Sequence, residues 1–451
     1  MTFPNIFKAY DIRGLVETEL TADFTFALGV AYARFLQIER EPASVVVGED
    51  MRPSSPELAE AFSSGITSQG LDVIRIGLAS TDMLYFASGK LNLPGAMFTA
   101  SHNPAAYNGI KLCLSGARPV GKETGLQVIE NFMREGSPMS FRSLGLEKHS
   151  DMLQEYVSHL LGLIDVTGIR RLKIVIDAGN GMAGFTAPAI FAGINAEVIP
   201  MYFELDGTFP NHEANPIDSA NLVDLQASVI KNQADIGLAF DGDADRCFLV
   251  DEKGNTVNPS DLTSLIAHRE LQRNPGSNII YNLISSRSVA EIVLENGGHP
   301  LRSRVGHSYI KALMAQSGAV FGGEHSGHFY FKDFWCADSG ALAALHAIAA
   351  LGSSELALSQ LLKPYQRYVA SGEINSTVHD AGAKMREIEE SFSGISDVTI
   401  DHLDGLSVDG PTWWFNVRPS NTEPLLRLNV EAKSPEEMAL LQERLLHTIR
   451  S

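Results

Sequence analysis

The chain has 451 residues, 44% hydrophobic and 20% charged, a globular composition long enough for about three domains. Its formal net charge of −19 excludes binding to nucleic acid through overall charge, so an anionic ligand would need a local basic pocket. No apolar run reaches the length of a membrane span, the N-terminus has no secretory pattern, and Cys113, Cys247 and Cys336 have no paired spacing, which together suggest the cytoplasm.

In chain order, Ser44–Gly48 reads as a strand. A helix follows from about Ser55, with Pro56 at its first position and Leu58, Phe62 and Ile66 on one face. Gly70 closes it, and Leu71–Ile76 is the next strand. The β segment beginning at Met97 runs into a turn carrying Ser101-His102-Asn103-Pro104, where Asn-Pro imposes an extended bend. Ser101 is either an exposed nucleophile at a strand end or a plain turn serine. The Gly-x-Ser-x-Gly elbow of the α/β-hydrolases is absent. Lys111 follows at a place from which it would point back to the same turn.

The polar stretch Ser137–Ser150 marks a domain boundary, and a second α/β unit starts with the strand Leu172–Asp177. Gly179-Asn180-Gly181-Met182-Ala183-Gly184 then matches a dinucleotide-binding Gly-x-Gly-x-x-Gly, with Glu197 about twenty residues on. This supports a rival reading, an NAD-dependent dehydrogenase. Pro188 and the acidic loop downstream fit that rival poorly.

The acidic loop is Asp241-Gly242-Asp243-Ala244-Asp245-Arg246, set between two short apolar segments that read as strands. Carboxylates so close repel one another unless a hard cation such as Mg²⁺ or Ca²⁺ joins them. Asp241, Asp243, Asp245 and Glu252 also match EF-hand ligand positions. Arg246 replaces the required glycine, however, and strands replace the flanking helices, so an EF-hand is excluded. An arginine next to the carboxylates suits an anion approaching the metal.

Helices and strands alternate again to about residue 365. Within that stretch, Gly322–His328 is rich in hydrogen-bonding groups. His325 and His328 lack a third ligand at zinc spacing, so a loop reading sugar hydroxyls through Glu324 and Ser326 fits better. The tail reads as a small α+β domain: strands Trp413–Val417 and Leu426–Val430, then a helix capped by Ser434-Pro435. Its Arg418-Pro419-Ser420-Asn421-Thr422-Glu423-Pro424 turn, with Arg427 beyond, offers donors for a phosphate dianion. Trp413 and Trp414 read as packing residues.

Taken in this order, Phe7–Gly14, Thr99–Pro104, Asp241–Arg246, Gly323–His328 and Arg418–Pro424 resemble the α-D-phosphohexomutase family across essentially the whole chain. Val305–Lys311 and Ser371–Asn375 place it nearest the bacterial members that use mannose phosphates. The resemblance implies an α/β fold of four domains around a central cleft: 1–147, 148–252, 253–366 and a smaller α+β domain, 367–451. It implies interconversion of mannose 6-phosphate and mannose 1-phosphate, supplying nucleotide-mannose and polysaccharide synthesis. A glucose-using or dual-specificity mutase is the alternative, with a glucosamine-phosphate mutase behind it.

The resemblance also assigns roles. Ser101 would carry the phosphoryl group, and Asp241, Asp243 and Asp245 would hold Mg²⁺ with an oxygen of phospho-Ser101. Arg13, Lys111 and Arg246 would line the reacting group. His328 would be the general base, with Lys111 or His102 as alternatives. Tyr10, Glu324 and Ser326 would contact the sugar, and Arg418, Ser420, Asn421, Thr422 and Arg427 the phosphate that is not reacting. A sugar 1,6-bisphosphate would be the activator, the C-terminal domain would move to retain it, and the chain would be a monomer or a dimer. Two departures bear on the substrate. His325 stands where relatives have Met or Gln, and Tyr281–Arg287 lacks a lysine that some members use, leaving Arg287 or His307 for that work.

Overall fold

A computed structural model describes residues 6–136, 143–420 and 425–451. Packing groups the chain into two units, residues 1–258 with 326–361, and residues 259–325 with 362–451. Residues 326–361, which the sequence reading placed in a third α/β domain, thus pack with the first unit. The reason is visible in the helix Gly340–Gly352, Gly-Ala-Leu-Ala-Ala-Leu-His-Ala-Ile-Ala-Ala-Leu-Gly, which is buried all round. A helix without a polar face cannot stay on a surface.

In the first unit, Ser44–Glu49 is buried on both faces from Val45 onward, as expected of a central parallel strand covered by helices. It pairs in parallel with Asp72–Leu78 on one side and Gly95–Phe98 on the other. Tyr107–Leu114 then pairs antiparallel with Gly95–Phe98, and Ile12–Leu15 antiparallel with Tyr107–Leu114. At the far edge Glu147–His149 joins Asp72–Leu78, so the first sheet includes residues beyond 147. The predicted helix spans Ser55–Ser68 with Pro56 in its first turn.

A second sheet runs Cys247–Asp251, Ile236–Phe240, Leu172–Asp177, Ala196–Met201. Its first pair is antiparallel, with Phe240 opposite Cys247, so the acidic loop is the connection between two adjacent strands, as the sequence indicated. Phe329–Phe331 and Ala337–Asp338 form a further antiparallel pair in this unit.

In the second unit, His299–Ser303, Asn278–Asn282 and Phe321–Gly323 are parallel neighbours. The C-terminal part is antiparallel throughout, ordered Val369–Thr377, Leu425–Ala432, Trp413–Pro419, Leu406–Asp409, Thr399–Asp401. Helices Ala381–Phe392 and Pro435–Arg450 cover it, the latter capped by Ser434. Trp413 stacks on Phe415 and meets Phe392 edge-on, while the Trp414 indole N–H donates to Glu431. Both tryptophans therefore pack, as expected. Among the described residues no helix is long and apolar enough to cross a membrane.

Candidate functional site

Ser101 leaves the end of strand Gly95–Phe98 in a left-handed conformation, φ +51, which a residue with a Cβ adopts only when its surroundings enforce it. Two groups do so. The Ser101 amide donates to Thr99 Oγ1 (2.9 Å). The guanidinium of Arg52 donates to four carbonyls of the turn, Ser101 and Asn103 through Nη2, Pro104 and Tyr107 through Nη1. Arg52 is 1% exposed, is paired with Asp50 (3.3 Å) and lies over the Phe209 ring. A planar five-donor group suits this clamp as no ammonium would. Arg52 was not singled out from the sequence, where it is one charged residue just past the strand Ser44–Glu49.

The acidic loop meets this turn so closely that a Cβ on Gly242 would lie 2.4 Å from the Ser101 carbonyl oxygen. Ser101 Oγ donates to Asp241 Oδ2 (2.8 Å) and lies 3.1 Å from His102 Nδ1. Arg246 Nε donates to the same Oδ2 (2.8 Å), and its amide to Oδ1. Lys111 Nζ donates to Asp243 (2.6 Å) and Asp245 (2.7 Å), so it serves the acidic loop, whereas the sequence had aimed it at the serine turn. The antiparallel neighbour Tyr107–Leu114 carries it there. Thr81, unremarked in the sequence, also donates to Asp243 (2.6 Å). Arg13 bonds the side chain of Asn103, the Ala100 carbonyl and Asp11. Tyr10 sits half-buried ahead of the strand Ile12–Leu15.

The electrostatics follow from burial. Desolvation pushes Asp241 up to about 7, against the pull of Arg246. Burial acts on Asp243 too, but the Lys111 charge and hydrogen bonds from Lys111 and Thr81 hold it below the usual carboxylate range. Burial disfavours the Lys111 charge, yet Asp243 and Asp245 outweigh it and raise its pKa well above the ordinary lysine value. Burial, with Arg246 and Arg13 nearby, holds His102 well below its ordinary value, and thus neutral.

The three carboxylates offer oxygens within 4.8 Å of one another. Asp243 Oδ1 and Asp245 Oδ1 are buried with no hydrogen-bond partner among the described residues. Buried acceptors left open in an all-oxygen donor set fit a hard divalent cation. The glycine loop that raised the dehydrogenase reading has another job. The Met182 amide donates to the Gly242 carbonyl (2.9 Å), and a Cβ on Gly181 would meet that same oxygen at 2.6 Å. The glycines bring the loop against the acidic turn.

His328 lies on the chain segment that bridges to Arg246. Its Nδ1 is 2.9 Å from Asp338 Oδ2 and 3.8 Å from Asp245 Oδ1. Burial lowers its basicity, but Asp245 and Asp338 outweigh this and raise its pKa. Ser326 is half-buried in the same unit.

The remaining candidates belong to the second unit. Glu324 is buried and accepts from Asn282 Nδ2 (3.3 Å) and the Gly306 amide (3.2 Å). Arg418 and Arg427 are cross-strand partners. Glu373, not anticipated from the sequence, receives Arg418 Nη2 (2.8 Å) and lies 3.6 Å from Arg427 Nη1; Ser420 Oγ is 3.5 Å from Arg427 Nη2. Two guanidiniums directly opposite repel unless an anion joins them, and Glu373 is that anion here. Arg287, expected near substrate, instead uses its guanidinium on Asp409 and the carbonyls of Gly410, Pro411 and Trp413. It fastens the C-terminal sheet to residues 259–325 within this unit. Asn421, Thr422 and the His307 side chain lie outside the described residues.

Family models for phosphoglucomutase/phosphomannomutase match in succession: α/β/α domain I over residues 4–139, domain II over 154–254, domain III over 258–368 and the C-terminal domain over 373–448. The chain belongs to this family, the α-D-phosphohexomutases. A phosphomannomutase of Escherichia coli is 38% identical to this phosphohexomutase over 461 residues, covering 98% of this chain and 100% of the relative. A protein named for phosphohexose mutases in Xanthomonas campestris is 39% identical over 446 residues, covering 98% of each. Among solved structures, a phosphoglucomutase/phosphomannomutase family protein of Burkholderia thailandensis superposes with a TM-score of 0.90 at 34% identity, covering 99% of this chain and 97% of that one.

Proposed function

We infer that this phosphohexomutase, an isomerase, interconverts mannose 6-phosphate and mannose 1-phosphate through phospho-Ser101 and a sugar 1,6-bisphosphate. The observation that carries the reading is the Ser101 hydroxyl held 2.8 Å from Asp241 beside two more buried carboxylates with open oxygens. A nucleophile at the edge of a cation-type donor set suits phosphoryl transfer, where alignment and charge stabilisation supply most of the catalysis. Asp241, Asp243 and Asp245 would hold Mg²⁺, which when bound offsets the negative charge of the phosphoryl group.

In one direction the sugar hydroxyl oxygen bonds to phosphorus as the P–Oγ bond of phospho-Ser101 breaks, leaving that electron pair on Oγ. The hydroxyl proton passes to His328. Lys111 is not free to accept a proton because two carboxylates hold it as the ammonium; His102 is the weaker base because burial and two arginines oppose its protonation. The bisphosphate then turns over and returns its other phosphate to Ser101. Arg13 and Arg246 face the transferring group, and Arg246 Nη2 is a buried donor without a partner among the described residues. Tyr10, Glu324, Ser326 and His307 read the sugar. Arg418, Ser420, Asn421, Thr422 and Arg427 clamp the second phosphate, displacing Glu373. The chain would divide functionally at 147, 252 and 366.

Intact-mass measurement of wild type and Ser101→Ala after incubation with a sugar 1,6-bisphosphate and Mg²⁺ tests the mechanism. A phosphate gain on wild type alone is expected; no gain on wild type overturns it. The names of the relatives support mannose, and some include glucose. Parallel assays with mannose, glucose and glucosamine 6-phosphates decide between them, and mannose as the poorest substrate would overturn the specificity.

A further inference from the structure

His328 has a partner that neither its sequence neighbourhood nor its spacing to the other motifs suggested. We propose that Asp338 is a positioning residue for phosphoryl transfer: it holds the Nδ1–H of His328 and so makes Nε2 the nitrogen that exchanges a proton with the sugar hydroxyl. The inference rests on the reading of His328 as the base.

Distance decides which carboxylate sets the ring. Asp338 Oδ2 is at 2.9 Å from Nδ1, within hydrogen-bond reach, and Asp245 Oδ1 at 3.8 Å is outside it. A carboxylate accepts only, so the nitrogen facing it carries the hydrogen. It also stabilises the imidazolium that forms when the other nitrogen takes a proton.

The ring is fixed from three directions. Its backbone bridges to Arg246, its face stacks on Tyr330 with centroids 6.3 Å apart, and its Nδ1 meets Asp338.

Asp338 is equally fixed. It is 3% exposed and lies opposite Tyr330 in the short antiparallel pair of Phe329–Phe331 with Ala337–Asp338. The turn ahead of it holds two successive left-handed residues, Trp335 (φ +54) and Cys336 (φ +56), so the chain reverses sharply. Trp335 anchors that turn among Phe86, His159 and Phe334. On the other side Ser339 donates to Asp82 (2.6 Å) and caps the helix Gly340–Gly352. A side chain set between an aromatic anchor and a helix cap has little freedom, which is what a residue that orients a base needs.

The test uses the full chain with Mg²⁺ and a sugar 1,6-bisphosphate, comparing Asp338→Asn, Asp338→Ala, His328→Asn and the double variant Asp338→Asn/His328→Asn. Each Asp338 variant should lose roughly 10²-fold in kcat with KM within about twofold of wild type. The double variant should be no slower than His328→Asn, because Asp338 acts only through that ring. Ring-¹⁵N histidine spectra, with His328 assigned by its loss in His328→Asn, should show hydrogen on Nδ1 in wild type and a move to Nε2 in Asp338→Ala. Unchanged kcat in both Asp338 variants, multiplied losses in the double variant, or an unmoved hydrogen would each overturn the proposal. Should Asp338→Ala not fold, the kinetics of Asp338→Asn and of the double variant decide. An inactive wild type would sink the functional reading instead, and the spectra, which need no turnover, would still decide this inference.

Discussion

The Ser101 site and the Arg418 site both suit phosphate, and they are built in opposite ways. The first brings together residues from several loops far apart in sequence, and its charges are buried: Ser101 is 4% exposed, Asp241 and Asp243 fully covered. The second lies on one sheet, where Arg418 and Arg427 face each other across neighbouring strands and Glu373, two residues along the next strand from the position opposite Arg427, answers them. Burial raises the strength of each charge interaction and also the penalty for leaving one unmatched. The first site therefore depends on every member, while the second should degrade gradually.

The strongest way to break that contrast is Asp243→Asn. It removes the charge that holds Lys111 and one open oxygen of the donor set, so mutase activity should fall roughly 10³-fold or more. Calorimetry should show Mg²⁺ binding lost. An activity near wild type would mean that the acidic loop is not the centre of the chemistry.

Next comes Arg52→Lys, which keeps the charge and loses the fork. An ammonium cannot reach four carbonyls, so at least one buried acceptor loses its partner. Urea unfolding should show a loss of about 1–3 kcal/mol, and kcat should fall with it because the Ser101 turn relaxes.

Arg418→Ala should be milder. With Arg427 still present, KM should rise by roughly one order of magnitude, consistent with about 1.5–3 kcal/mol for a charged hydrogen bond, and unfolding should barely change. If this variant were as inactive as Asp243→Asn, the contrast between the two sites would fail.

A last test lies outside both sites and concerns pH. Burial pushes Asp261, a residue of the helix Pro259–Arg273, up to about 7. A carboxyl with a folded pKa above its unfolded value of about 3.9 binds its proton more tightly when folded, so stability falls as pH rises from about 4 to about 7. Asp261→Asn should remove that slope, gaining on wild type at pH 8 and losing the advantage near pH 4, as read by thermal unfolding.

Much of this was legible in the chain. A short apolar run placed the strand at Ser44, apolar residues four apart placed the helix at Ser55, and the apolar flanks placed the acidic loop between two strands. The residues that hold the site were not legible. Arg52 acts on carbonyls of its own sheet's turn, Thr81 starts a helix, and Asp338 sits in a two-residue strand; no local pattern marks any of them. Arg287 reads as a substrate ligand until its four partners in residues 409–413 are seen.

The possible chemistry could be read along the chain, because phosphoryl transfer needs particular functional groups and those groups cluster in short motifs. The tertiary structure decided which partners each group has: Lys111 on two aspartates, Arg246 on Asp241, His328 on Asp338. The physical reason is range. Motifs reflect bonding between near neighbours along the chain, whereas hydrogen-bond pairing and desolvation depend on which loops are packed together, and only the folded chain fixes that.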